Sequence, residues 1–199
     1  MVIHYNCRMR KKDDAKRLMI FEVSLDVLLE FGFGGFSMGK VAKRANIAVG
    51  TIYLYFKNKD ELISQLYIKL YKESVERFLE HYDSSLPFKD GLKTVWVNYL
   101  KHRIEHYKES HFLEFYYRSP YINESQKLMA EEMKKPVKDI IQRGKDLGLV
   151  RKDLDNEMIF LGMLGFIREL ADEHVGNVYK LSDEKIEKAF EMSWNMIKL

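Results

Sequence analysis

Residues 37–62 read SMGKVAKRANIAVGTIYLYFKNKDEL. Two short segments with helical spacing, MGKVAKRA (38–45) and GTIYLYF (50–56), are joined by NIAV (46–49). An isolated helix needs roughly 12–15 residues to persist in water, so neither segment stands alone. Met38, Val41, Ala42 and Ala45 share one face of the first segment. Ile52 and Phe56 share one face of the second, so both segments are expected to rest on a common core. Ser37 is placed to cap the first. What faces outward on the second is small at the leading end, at Ala48, Val49 and Gly50, and then polar or aromatic, at Thr51, Tyr53, Tyr55, Lys57 and Lys59. Two short helices at a tight turn, braced by a preceding helix, describe a helix-turn-helix.

Such an edge suits double-stranded DNA. The major groove is ~12 Å wide, and small residues at the tip let a helix enter it. The hydroxyls of Thr51, Tyr53 and Tyr55 can meet phosphates or base edges, and Lys57 and Lys59 can pair with phosphates. Taken singly, Tyr53 and Tyr55 also fit half-buried packing, and the two lysines fit a solvated pair. The charge distribution favours the nucleic-acid reading. Residues 1–60 hold 11 Lys+Arg against 6 Asp+Glu, whereas residues 61–199 hold 22 against 24. A basic head on a near-neutral body is the footprint of a polyanion binder.

Working outward, the 199 residues are long enough for a sizeable core, and 46% hydrophobic with 32% charged residues is a globular balance. No apolar run reaches the ~18 residues of a membrane helix, so no membrane partner is expected. The N-terminus lacks the apolar centre of a signal peptide, and Cys7 is the lone cysteine, so a cytoplasmic protein without disulfides is expected. A flexible basic tail is expected over residues 1–12, with Met9 as an alternative start and Cys7 as an incidental thiol.

Helical periodicity dominates the remainder, and the expected class is all-α with about nine helices. The first helix is expected from near Asp13, with Leu18, Phe21, Leu25 and Leu28 inward, ending at Gly32, Gly34 and Gly35. Asn58, with Glu61 three residues on, reads as the start of a long helix carrying Leu62, Leu66, Leu70 and Phe78 to about Tyr82. Further helices are expected over about 88–107 and 109–118, from Asn123 to Gly148 with Pro136 inside, from Asp155, and from Ser182. The domain division is a reading head over 13–60 and a larger body over 61–199.

The 37–62 stretch resembles the TetR family of bacterial transcription regulators. Its VAKRANIAVGTIYLYFKNKDEL follows the family pattern without a gap, and FEVSLDVLLEFGFGGFS (21–37) also matches, so the resemblance covers about residues 14–62. It implies a sequence-specific DNA-binding regulator, not an enzyme, with a C-terminal half that binds a small-molecule effector and forms a homodimer. It places Ser37, Thr51, Tyr53, Tyr55 and Lys59 against the DNA backbone and Val49 and Gly50 at base edges. Three positions depart from the pattern. Asn46 replaces a turn glycine, which the left-handed tolerance of Asn permits. Ala48 replaces a capping serine, and is free instead to touch a thymine methyl. Leu54 stands where a polar residue or histidine is common, so the resemblance does not assign it a base contact.

For the body, Trp96, Tyr99, His102, Arg103, Phe112, Phe115, Tyr116, Phe160, Phe166 and Arg168 are the residues available to line an effector pocket for a hydrophobic or aromatic molecule, with or without an acidic group. Each aromatic is equally well explained as core. Gly162, Gly165, Ile186, Phe190, Trp194 and Ile197 are the expected dimerisation residues. The mechanism expected is repression by occupancy, with effector binding releasing the dimer from an operator. His102 and His106 stand at i and i+4, but HRIEH lacks a further ligand cluster, so neither a metal nor a cofactor is expected. No catalytic arrangement is apparent; the alternative to a regulator is a helical small-molecule carrier or an enzyme without regulatory role.

Overall fold

The computed structural model describes the backbone of residues 2–199 and the side chains of residues 13–199. The first helix begins at Val2, where a start near Asp13 was expected. The side chains of the tail expected at 1–12, Cys7 and Met9 among them, lie outside the described residues. Nine helices and no strands occur among them: α1 (Val2–Gly35), α2 (Met38–Ala45), α3 (Val49–Tyr53), α4 (Lys59–Phe78), α5 (Phe88–Glu105), α6 (Tyr107–Tyr117), α7 (Glu124–Asp146), α8 (Asn156–Val175) and α9 (Asp183–Ile197). They group into two compact units, Met1–Leu70 with His111–Ile122, and Tyr71–Ser110 with Asn123–Leu199. The division is therefore not continuous in the chain. It falls within α4 and not at residue 60, and the chain of 111–122 returns to the first unit.

In the first unit, Ile20, Phe21, Leu25, Val27 and Leu28 of α1 form the core with Val41 and Ala42 of α2, Ile52 and Phe56, and Leu62, Ile63 and Leu66 of α4. Leu18 was expected on this stripe but is exposed; it lies ahead of the first fully buried position, Ile20. Gly32 breaks α1 with φ 63°, a conformation an L side chain seldom takes. Phe33, just beyond the break, stacks on Phe115 with centroids 4.8 Å apart and meets Tyr121 at 4.9 Å. Tyr116 packs between Phe33 and Tyr67, at 5.7 and 4.6 Å.

The second unit is built on α5, which packs against α8 and α9, with α7 also against α8. Its core holds Leu92, Val95, Trp96 and Leu100 of α5, Ile140 and Ile141 of α7, Ile159, Met163 and Ile167 of α8, and Phe190 and Ile197 of α9. The Trp96 indole N–H donates to Ser193 Oγ at 3.0 Å, so even the polar edge of this core is satisfied. Gly144 lets α7 come close: a Cβ there would lie 2.3 Å from Phe88 Cζ and 2.6 Å from Val150 Cγ2. Asn123, Asp155 and Ser182 cap α7, α8 and α9 through their side chains, as their residue types lead one to expect.

Candidate nucleic-acid interface

The turn between α2 and α3 is set by local chemistry. Ser37 Oγ accepts from the Lys40 N–H at 3.3 Å and starts α2. Asn46 ends it in the left-handed region (φ 52°, ψ 46°), giving its N–H to the carbonyls of Ala42 and Lys43. Ala48 precedes α3 with extended backbone and no side-chain cap, so the first N–H groups of α3 have no serine over them. Ile52 and Phe56 are buried beneath, and Phe21 meets the Phe56 ring at 5.2 Å. Asn58 Oδ1 accepts from the Glu61 N–H at 2.8 Å, while Glu61 Oε2 accepts from the Lys57 N–H at 2.6 Å. The start of α4 is thus a capping box shifted by one residue at its return bond.

Ala48, Val49 and Gly50 are exposed, and no heavy atom lies within 4 Å of where a Gly50 Cβ would stand. Thr51 is half-buried; Tyr53 is 53% exposed. Lys57 and Lys59 are exposed at the end of the same segment. Leu54 is 82% exposed, an apolar side chain in water at the tip of the motif. Tyr55 differs from its neighbours: its hydroxyl donates to Asp13 Oδ1 at 2.5 Å. That bond, with some desolvation and the nearby carboxylate charge, raises the phenol above its usual range. Sequence reasoning placed this hydroxyl toward DNA and missed its carboxylate partner, 42 residues away in the chain.

Two cations sit beside the motif in structural roles. Lys40 Nζ donates to the Gly35 carbonyl at 2.7 Å and lies 4.0 Å from the Phe31 ring centroid. Arg44 is paired with Glu30. Neither bond was anticipated, because each depends on the α1–α2 crossing.

The residues expected to line an effector pocket fall into both units. Phe115 and Tyr116 belong to the first, where they pack on Phe33, and Phe115 remains exposed. Trp96 is taken up by the core of the second unit, against Ser193 and Phe190. Tyr99 is half-buried, edge-on to Phe78 at 5.5 Å, and Phe166 and Arg168 are half-buried. His102 and Arg103 are buried, at 4% exposure each. Arg103 lies 3.5 Å from Asp172, and the His102 ring stacks on His106 at 5.0 Å. Among the described residues no group of three His, Cys, Asp or Glu could hold a metal.

The dimerisation stripe also needs correction. Phe190 and Ile197 are wholly buried in their own unit, and Trp194 packs against Phe88 at 6.1 Å; Ile186 packs against the same core. A helix of this length has one strong apolar face, and here the parent core claims it. Exposed apolar side chains on α8 and α9 are instead Met158, Leu161, Met192 and Met196. Gly162 is exposed beside them, a prospective Cβ lying 3.2 Å from Met196 Cε; Gly165 is half-buried. Among the described residues no helix is long and apolar enough to cross a membrane.

The relationships of the chain agree with this geometry. Residues 20–66 match the family model of bacterial regulatory proteins of the tetR family, and residues 87–198 match the tetracyclin repressor-like C-terminal domain. A helix-turn-helix-type transcriptional regulator of Haemophilus influenzae is 29% identical over 191 residues, 96% of this chain and 98% of that protein. A TetR-family regulator structure from the same organism is 26% identical, with TM-score 0.76, covering 94% of this chain and 99% of that one. A TetR family regulator from Marinobacter aquaeolei superposes with TM-score 0.86 at 23% identity, over 95% of this chain and 98% of that one.

Proposed function

The chain belongs to the tetR family of bacterial regulatory proteins and is a DNA-binding transcriptional regulator, and from that premise we propose that it is a homodimeric repressor released from its operator by a small, largely apolar effector. The observation that carries the reading is the leading end of α3, where Ala48, Val49 and Gly50 stand exposed over a buried Ile52–Phe56 anchor. A helix edge of that profile fits the major groove, with Tyr53, Thr51, Lys57 and Lys59 toward the backbone. Leu54 joins this set as an apolar contact for a thymine methyl. Tyr55 acts through Asp13, holding α1 to the motif.

Support for the dimer comes from Met158, Leu161, Met192 and Met196, which leave α8 and α9 with an apolar outer surface around Gly162. A second copy on that surface would set two recognition helices about 34–36 Å apart on a near-palindromic operator. Leu161→Glu would then give a monomer by light scattering that binds operator DNA poorly. A variant that stays dimeric would move the interface elsewhere.

Effector control is an equilibrium between operator-binding and released conformers. For a 100-fold loss of operator affinity the effector must favour the released form by about 2.7 kcal/mol. Helix α4, whose residues belong to both units, is the covalent route for that preference. Mixing the purified protein with fragmented genomic DNA at ~0.1 M salt and sequencing the retained fraction tests the whole reading. Enrichment of a palindrome beside promoters supports it; uniform retention without a motif removes sequence specificity, and no retention removes DNA binding.

A further inference from the structure

His102 lies buried on α5, and neither ring nitrogen has a hydrogen-bond partner among the described residues. The His106 ring stacks on it, and His106 itself closes α5 with a non-helical backbone (φ −114°, ψ 46°). Ser110 repeats the pattern: its Oγ is buried and has no partner among the described residues. The His106 N–H bonds to the His102 carbonyl and the Ser110 N–H to the His106 carbonyl, so the three residues form one row despite the break. A buried polar group without a partner carries an uncompensated desolvation cost, and two such residues in one row call for an explanation.

Three of the groups around the row are basic. Arg77 of α4, Arg103 of α5 and His106 all act on His102. Each has a carboxylate partner: Glu73 lies 3.9 Å from Arg77, and Asp172 and Glu109 lie 3.5 Å from Arg103 and His106. Unfilled donors beside basic side chains are the recognition chemistry of an oxyanion.

We propose that His102, His106 and Ser110, flanked by Arg77 and Arg103, form the seat for the carboxylate of a monoanionic, apolar-bodied effector. This rests on the reading of the second unit as the effector-binding part of a repressor. The preference for one negative charge follows from the site. Burial foremost, then the neighbouring cations, holds His102 neutral, its pKa lowered to about 4. A carboxylate beside the ring reverses that bias and favours the imidazolium. One negative charge thus enters with one proton, and the buried site gains no net charge. The proton comes from solvent and rests on the imidazole; Ser110 Oγ–H donates to the second carboxylate oxygen. A coenzyme A thioester would bring several charges that one proton cannot balance. The row also ends where the chain leaves the second unit for the first, between Ser110 and His111, so ordering it acts directly on the segment leading to residues 111–122.

Calorimetric titration of the full-length protein with decanoate and with 4-phenylbutanoate tests this. Two buffers of different ionisation enthalpy at pH 7 read the proton, and release of the selected operator is followed alongside. Decanol and decanoyl-CoA serve as the uncharged and multiply charged arms. The expected result is binding of a carboxylate with uptake approaching one proton, and an affinity that falls toward tenfold per unit as pH rises from about 5, where His102 of the free protein is already neutral, to the pKa of the bound imidazolium. Decanol should bind at least tenfold more weakly. His102→Gln, polar but not protonatable, should abolish the uptake and weaken binding at least tenfold; Ser110→Ala should weaken binding severalfold with uptake retained. Should His102→Gln not fold, the slope of wild-type affinity against pH carries the same information. Absent uptake in the wild type, uptake persisting in His102→Gln, or failure of both carboxylates to bind overturns the proposal. Operator release by decanol or decanoyl-CoA alone would overturn the carboxylate seat and leave the ligand-controlled repressor standing. Specific operator binding that none of the four probes alters overturns the seat while leaving the DNA-binding reading; absence of specific binding removes the repressor reading itself.

Discussion

Helix α3 and the end of α5 violate the usual partition of side chains in opposite ways. At α3 the apolar side chains Leu54, at 82%, and Val49, at 40%, are in water. At α5 the polar side chains His102 and Arg103 are inside, at 4% each. A core alone explains neither, because burial of Leu54 and solvation of His102 would each stabilise the free protein. In both places the counterpart we propose is a ligand: the edge of a base pair for Leu54, an oxyanion for His102. Side chains in the wrong medium are a sharper guide to function here than the basic excess of the head.

The largest expected effect lies beneath α3. Ile52→Ala removes a fully buried side chain from the head and should cost about 2–5 kcal/mol of stability, read by urea unfolding. If it costs less than 1, α3 is not anchored as described. At α5 the expected effect depends on pH. The His102 pKa is lowered in the folded chain, to about 4 from an ordinary 6.5, so the unfolded state binds the proton more readily. Its stabilising contribution is complete above pH 6.5 and is lost as pH falls toward 4, up to about 3 kcal/mol. His102→Gln should flatten that limb of a stability–pH profile, and an unchanged profile would mean the ring is solvated.

Smaller effects sharpen the picture at α3. Ser37→Ala removes the α2 cap and should destabilise by about 1 kcal/mol in thermal unfolding. Leu54→Ala should change stability by no more than ~0.5 kcal/mol while operator affinity falls by a larger amount, since Leu54 meets little of its own chain. Equal small losses in both would place Leu54 outside the interface. Lys59→Ala should reduce the slope of log affinity against log salt by about 0.9, the signature of one phosphate contact.

Interactions closed within a few residues were legible before the fold was known. Ser37, Asn58, Asn123, Asp155 and Ser182 all start helices as their residue types indicate, and Asn46 turns the chain in the left-handed region. The buried pair Ile52 and Phe56 followed from spacing alone. Pairings across the chain were not legible. Tyr55 was read as a DNA contact, but its hydroxyl meets Asp13; Phe115 and Tyr116 were assigned to a pocket, but they pack on Phe33.

By itself, then, the sequence determined the all-helical class, the helix-turn-helix and the side of α3 that faces outward, because caps, turns and amphipathic faces are decided over three to seven residues. Only the tertiary structure decided which apolar stripe of α9 is core, which hydroxyl of the head is engaged and which histidine lies buried with no hydrogen-bond partner among the described residues. Periodicity identifies an apolar or polar face but carries no information on which helix it meets, and that choice is made by packing among elements far apart in the chain.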